Sequence, residues 1–188
     1  MLEPKCPQIK KNNLPMIVMG IDPGSIKTGV AVLRSYSKAP VPLKKIEILD
    51  TITLESSPRH SFNDRLGQFH KVIVKLIEEI NPNYCVIESC FYGKNVQSAL
   101  KLGHIRGSII SAVKRFSLPI IEIAPTQMKK SIAGRGHAKK EEVAFALKTL
   151  LDCPTKKMSL DASDALGLAL TFLLNLQYYS ASENHLSK

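Results

Sequence analysis

The sequence predicts a single α/β domain, on three observations. Short apolar runs of strand length, closed by Gly, Pro or an acid, fill the first third of the chain; apolar residues at steps of three and four then mark helices; and two of the strand-like runs stop on carboxylates, Asp22 and Glu88. A length of 188 residues suits one domain with a real core, and 44% hydrophobic with 22% charged residues excludes a fibrous or disordered body. No apolar run approaches the roughly 18 residues a membrane span requires.

Residues 1–15, MLEPKCPQIKKNNLP, carry Lys, Asn and Pro instead of the apolar core of a secretory signal. They are expected to be a disordered extension, or to precede a true start at Met16. The domain then covers 16–179, and 180–188 is expected to be a disordered tail.

In Met16 to Val32, MIVMGIDPGSIKTGVAV, the apolar Val18, Met19 and Ile21 leave no solvent face, which suits a first strand covered on both sides. Pro23-Gly24 forces a tight turn after it. Asp22 either opens an Asx-type turn or projects as a functional carboxylate. Thr28 to Leu33 and Ile46 to Leu54 read as the second and third strands of an antiparallel meander, separated by a loop with Pro40 and Pro42. From Phe62, the apolar set Phe62, Leu66, Phe69, Ile73, Leu76 and Ile80 defines one helical face, which Asn81-Pro82 ends. Tyr84 to Ile87 is a short strand stopping at Glu88.

Asn95 to Phe116 reads as a long helix on which Ala99, Gly103, Gly107 and Ser111 form a smooth stripe of small residues. Glycines inside a helix cost about 1 kcal/mol each relative to alanine, so something packs closely on that stripe, either the sheet or a second subunit. Leu118 to Ile123 reads as a strand and Thr126 to Ala133 as a short helix. Gly134-Arg135-Gly136-His137 forms a flexible basic loop, and Lys139 to Leu151 resumes helical spacing. Leu160 to Leu176 is apolar nearly all round, a helix lodged deep against the sheet. Asp161 and Asp164 share one face of its first turns, where acids either cap the helix or serve a site.

Lys and Arg number 26 against 16 Asp and Glu, a formal charge of +10. This favours a polyanionic partner over a merely solvated basic surface, and nucleic acid over a membrane, because no basic amphipathic helix stands out. Cys6, Cys85, Cys90 and Cys153 form no CxxC pair and no zinc spacing, so they read as reduced thiols of a cytoplasmic protein.

Asp22, Glu88, Asp161 and Asp164 are acids at element ends with apolar flanks. Two carboxylates about 4 Å apart repel by roughly 4 kcal/mol at an effective dielectric near 20, so four that converge must protonate or recruit divalent metal. Oxygen ligands without His or Cys select Mg²⁺ or Mn²⁺, and two such ions suit in-line attack on a phosphodiester. A basic chain with such a cluster reads as a nuclease.

GIDPGS at Gly20 to Ser25 with KTGVAV after it, IE at Ile87-Glu88, NVQSALKLGHIRG from Asn95, GRGHAKKEEV from Gly134 and DASDALGLAL from Asp161 resemble, in order, the RuvC family of Holliday junction resolvases. The resemblance covers about Met16 to Leu174. It implies an RNase H-like fold with a mixed five-stranded sheet flanked by helices, and a homodimer that makes paired symmetric nicks in opposite strands of a four-way DNA junction during recombination and repair. It further implies that Asp22, Glu88, Asp161 and Asp164 are catalytic metal ligands for Mg²⁺ or Mn²⁺, two per subunit, although some members carry histidine in place of Asp161. Phe91 matches the aromatic that stacks on bases at the crossover, and Lys129 and Lys140 match basic residues at the scissile backbone, with Lys139 and Arg135 adding charge nearby. The resemblance places Ala99, Gly103 and Gly107 at the dimer interface and makes the RuvA–RuvB branch-migration complex the working partner. A nuclease for structured RNA, an actin-like nucleotide-binding protein with its DPG turn, and a non-catalytic junction-binding module are the competing readings.

Overall fold

The computed structural model describes residues 15–37, 40–57, 59–89, 95–152 and 158–179. The tail, Phe91 and all but the last residue of the N-terminal extension lie outside them. Strands β1 (Met16–Asp22), β2 (Lys27–Ser35), β3 (Ile46–Glu55), β4 (Tyr84–Glu88) and β5 (Ile120–Ile123) form one mixed sheet in the order β3-β2-β1-β4-β5. The first three make the expected antiparallel meander, while β4 runs parallel to β1 and β5 parallel to β4. Helices α1 (Phe62–Ile80) and α2 (Val96–Lys114) cover one face; α3 (Pro125–Ala133), α4 (Lys140–Leu151) and α5 (Leu160–Leu174) cover the other.

The period of two along the strands builds a core on each face. Met19, Ile21, Val30, Val32, Cys85 and Ile87 pack against Phe69, Ile73, Ile105 and Ile109 of α1 and α2. Val18, Ala31, Leu33, Tyr84 and Val86 pack against Leu147 of α4 and Leu166, Leu170 and Phe172 of α5. Each fully buried Leu, Ile or Phe contributes about 1.5 to 3 kcal/mol, so both faces must be covered for the sheet to persist. This explains why β1 carries no polar period.

Helix α5 is buried from Ala162 to Leu173, in keeping with its all-round apolar sequence. It lies unusually close to the sheet because two strand positions are glycine. A Cβ on Gly20 would stand 2.1 Å from the carbonyl oxygen of Ala165, and one on Gly29 would stand 2.0 Å from that of Asp161.

Several element ends shift from the sequence expectation. β5 begins at Ile120 and not at Leu118, because Ser117 takes a left-handed φ of 54° and Pro119 has no N–H to give, although its carbonyl accepts from the Cys85 amide at 3.0 Å. α5 stops at Leu174, short of Leu176, where the Asn175 amide turns back to the Thr171 carbonyl and its side chain donates to the same oxygen at 2.8 Å. Among the described residues, no helix is long and apolar enough to cross a membrane.

A candidate metal centre at the carboxyl ends of the strands

Asp22 and Glu88 close two neighbouring parallel strands whose ladder pairs Ile21 with Ile87. The alternation that sends Ile21 and Ile87 toward α1 and α2 sends the next residue of each strand to the opposite face, under α5. The Glu88 carboxyl lies near enough to that of Asp22 to raise its pKa. This is the end of an α/β sheet where ligands bind, in the crevice beyond the strand termini.

The turn after Asp22 is held from two sides. The buried Thr28 hydroxyl donates to the Gly24 carbonyl and accepts from the Gly24 amide, each at 3.3 Å, and Arg65 of α1 donates to the Ser25 carbonyl at 3.0 Å. Opposite, the Ser159 hydroxyl caps α5 by accepting from the Ala162 amide at 3.1 Å and bonds Thr53 of β3 at 2.5 Å. The capped helix thus enters over Gly29, the β2 partner of Asp22. Asp164, one turn further on, faces Asp22, while Asp161 sits nearer solvent.

Burial first, then the hydrogen bond and charge of Glu88 and the charge of Asp164, push the Asp22 carboxyl up from 3.8 to about 9. Asp164 is 7% exposed, and its Oδ1 is buried without a hydrogen-bond partner. Its Oδ2 pairs with the Lys140 ammonium at 2.5 Å, and Asp161 Oδ1 lies 3.7 Å from the same nitrogen. Lys140, the first residue of α4, therefore supplies the positive charge that the acids demand. With the ammonium among them, no three His, Cys, Asp or Glu side chains of the described residues converge on one point at ligating distance. An acid that holds its proton to about pH 9 and an unpaired buried carboxylate oxygen are nevertheless what a divalent cation would relieve, and the all-oxygen donor set fits Mg²⁺ or Mn²⁺.

This geometry sets a pH dependence. Between its ordinary value of 3.8 and about 9, Asp22 keeps a proton in the folded protein that the unfolded chain releases, so its contribution to stability falls as pH rises through that window and is flat above it. A cation that replaces the proton removes the loss. The expected result is a gain in Tm on adding Mn²⁺ that grows from about pH 5 to about pH 8; calorimetry showing the same gain throughout would contradict it.

The other candidates lie on α3, at the start of α4 and in the loop between them. Lys129 of α3 is half-buried and forms no ion pair among the described residues. Lys139 is exposed and its backbone amide donates to Glu142 at 2.7 Å. Arg135 is not a free cation, because it is ion-paired with Glu142, and the Lys139 amide together with Arg135 holds the Glu142 carboxyl below its ordinary value. Lys140, read from the sequence as a contact to the DNA backbone, is bound to the acids themselves. The roles of Gly29, Thr28 and Ser159 in placing the acids were not read from the sequence, although a glycine inside a strand run is itself a signal of close backbone approach.

The fold and the position of these acids define an RNase H-like domain. The family model described as crossover junction endodeoxyribonuclease RuvC matches residues 18–172. The RuvC of Chlorobium phaeovibrioides is 40% identical over 159 residues, which is 85% of this chain and 82% of that relative. The solved structure of Thermus thermophilus RuvC superposes with a TM-score of 0.75 at 27% identity, covering 88% of this chain and 98% of the other. T. thermophilus RuvC in complex with Holliday junction substrate shares the fold, with a TM-score of 0.74 at 24% identity over 88% of this chain and 97% of that one. The chain belongs to the RuvC family, the crossover junction endodeoxyribonucleases.

Proposed function

We propose that this RuvC-family protein resolves Holliday junctions by metal-dependent hydrolysis of one phosphodiester in each of two opposite strands, with Asp22, Glu88, Asp161 and Asp164 holding two Mg²⁺ ions per subunit, or Mn²⁺ in their place. The observation that carries this reading is the approach of Asp164 to the Asp22–Glu88 pair under α5. When bound, the cations would supply positive charge for activating water and for the leaving oxygen. The chain's own part is to bind and orient. Its net charge of +10 draws in the phosphates, and Lys129, Lys139 and Lys140 would meet the backbone as it passes. Lys140 would leave Asp164 for a phosphate once metal neutralises the acids. Arg135 would exchange Glu142 for phosphate, and Phe91 would stack on a base at the crossover, a contact worth about 1 to 3 kcal/mol.

A four-way junction is nearly two-fold symmetric, so paired cuts call for a homodimer. We assign the interface to α2. A Cβ at Gly103 or Gly107 meets nothing within 4 Å, and Val96 and Leu100 are 78% and 58% exposed, whereas the sheet-facing set of the helix is Ile105, Ile109, Ala112 and Val113. Gly103→Leu should therefore leave the subunit folded and weaken dimerisation about tenfold or more, through loss of close helix approach. An unchanged monomer–dimer constant in sedimentation would remove α2 from the interface. The RuvA–RuvB complex is the proposed working partner, in the cytoplasm.

The test is incubation of the protein with an end-labelled four-way DNA junction, a linear duplex and a folded RNA. Symmetric nicks confined to the junction support the proposal, and cleavage of the RNA alone would replace it by an RNA-directed nuclease.

A further inference from the structure

The β1–β4 ladder ends at Ile21 and Ile87, one residue before Glu88. On the other side of β4, the Ser89 amide continues the pairing by donating to the Ile123 carbonyl at 2.9 Å. The carbonyl of Glu88 lies beyond the last rung toward β1, and a backbone acceptor at such a strand end needs a donor from elsewhere. Arg106 of α2 supplies it, donating from Nε to the Glu88 oxygen at 3.1 Å. The same guanidinium is ion-paired at its other end, where buried Nη2 lies 2.5 Å from Glu122 Oε2 on β5 without hydrogen-bond geometry. Its side chain is 15% exposed, so it reaches Glu88 from the α1–α2 face while the Glu88 carboxyl points to the α5 face.

We propose that Arg106 is the positioning residue for Glu88: a planar guanidinium, fixed by Glu122, that holds the last peptide of β4 and so sets where the Glu88 carboxylate stands. This rests on the reading of Glu88 as a metal ligand. The shape of the guanidinium matters as much as its charge, because a lysine ammonium is a single point on a flexible stem and cannot donate to the Glu88 carbonyl from one nitrogen while a second is paired with Glu122. Arg106 acts through the Glu88 peptide, and Glu122 through Arg106. Groups that orient a metal ligand from behind typically change metal affinity about 10- to 100-fold when removed.

The test is Mn²⁺ binding by titration calorimetry on the full chain, with Arg106→Lys, Arg106→Met and Glu122→Gln, beside junction cleavage and the Tm of the metal-free protein. The expected result is Mn²⁺ affinity weakened about tenfold in both Arg106 variants and about threefold in Glu122→Gln. kcat should fall in parallel, the junction KM should stay within about twofold, and the metal-free Tm of Glu122→Gln should equal that of the parent. Glu122→Gln alters a half-exposed surface residue, so it reports even if an Arg106 variant fails to fold. Parental Mn²⁺ affinity in Glu122→Gln and in whichever Arg106 variants fold would overturn the proposal. Glu88→Gln separates the two levels: if it binds Mn²⁺ and cuts like the parent, the metal-ligand reading fails and this one with it; if it is impaired while the Arg106 and Glu122 variants are not, only this inference fails.

Discussion

Asp22→Asn will lower junction cleavage by about a thousandfold while junction binding is retained and the metal-free fold is no less stable. Asn keeps the shape and the hydrogen-bonding reach of Asp but carries no charge. In the metal-free protein Asp22 is already neutral below about pH 9, forced there by burial and by Glu88 and Asp164, so the fold loses nothing that it was using. Cleavage suffers because a divalent cation contributes several kcal/mol to such a reaction and each 1.4 kcal/mol or so is a factor of ten. Binding survives because removing an acid lessens the repulsion of phosphate. The pH-dependent decline in stability between 3.8 and about 9 should flatten in the same variant. Cleavage, filter binding and calorimetry on one preparation check all three; binding lost together with cleavage would make Asp22 a structural residue.

Gly29→Ala should damage both stability and chemistry. The new Cβ would stand 2.0 Å from the Asp161 carbonyl oxygen and 2.3 Å from its carbon, and both are helix backbone that cannot rotate away. Either α5 lifts or β2 bends, an overpacking cost of about 1 to 3 kcal/mol, which in a chain of this size lowers Tm by roughly 3 to 10 °C. Lifting α5 carries Asp161 and Asp164 with it. A displacement near 1 Å of catalytic groups costs on the order of a hundredfold in rate, so cleavage should fall by about that much even well below Tm. Gly67→Ala on α1 is the control, because a Cβ there meets nothing within 4 Å and the substitution should be neutral or stabilising by up to about 1 kcal/mol. Parental activity in Gly29→Ala would mean that α5 does not depend on close approach to place its acids.

Most of the fold was legible because periodicity survives without knowledge of partners. The face from Phe62 to Ile80, the buried β1 and the all-round apolar α5 each declared their packing in their own residues. What needs the sheet order was not legible. Nothing local in the sequence places β4 beside β1, and only that neighbourhood brings Asp22 against Glu88. The family resemblance linked these acids, and register with side-chain parity supplies the physical route. The small-residue stripe of α2 left the sheet and a second subunit open as its cover; the open space at Gly103 and Gly107 rules out the sheet. Lys140 and Arg135 looked like free cations because their acid partners lie 21 or more residues away or one helical turn beyond a loop. Arg106 was not singled out in the sequence, since its target is a backbone oxygen that no sequence pattern marks.

If these acids share metal, diffraction from crystals soaked in Mn²⁺ will locate it. An anomalous peak bounded by Asp22, Glu88 and Asp164, with the Lys140 ammonium withdrawn from Asp164, is the result expected. Anomalous peaks only elsewhere, with Lys140 still paired to Asp164, would show that the lysine and not a metal is the permanent counter-ion of the cluster.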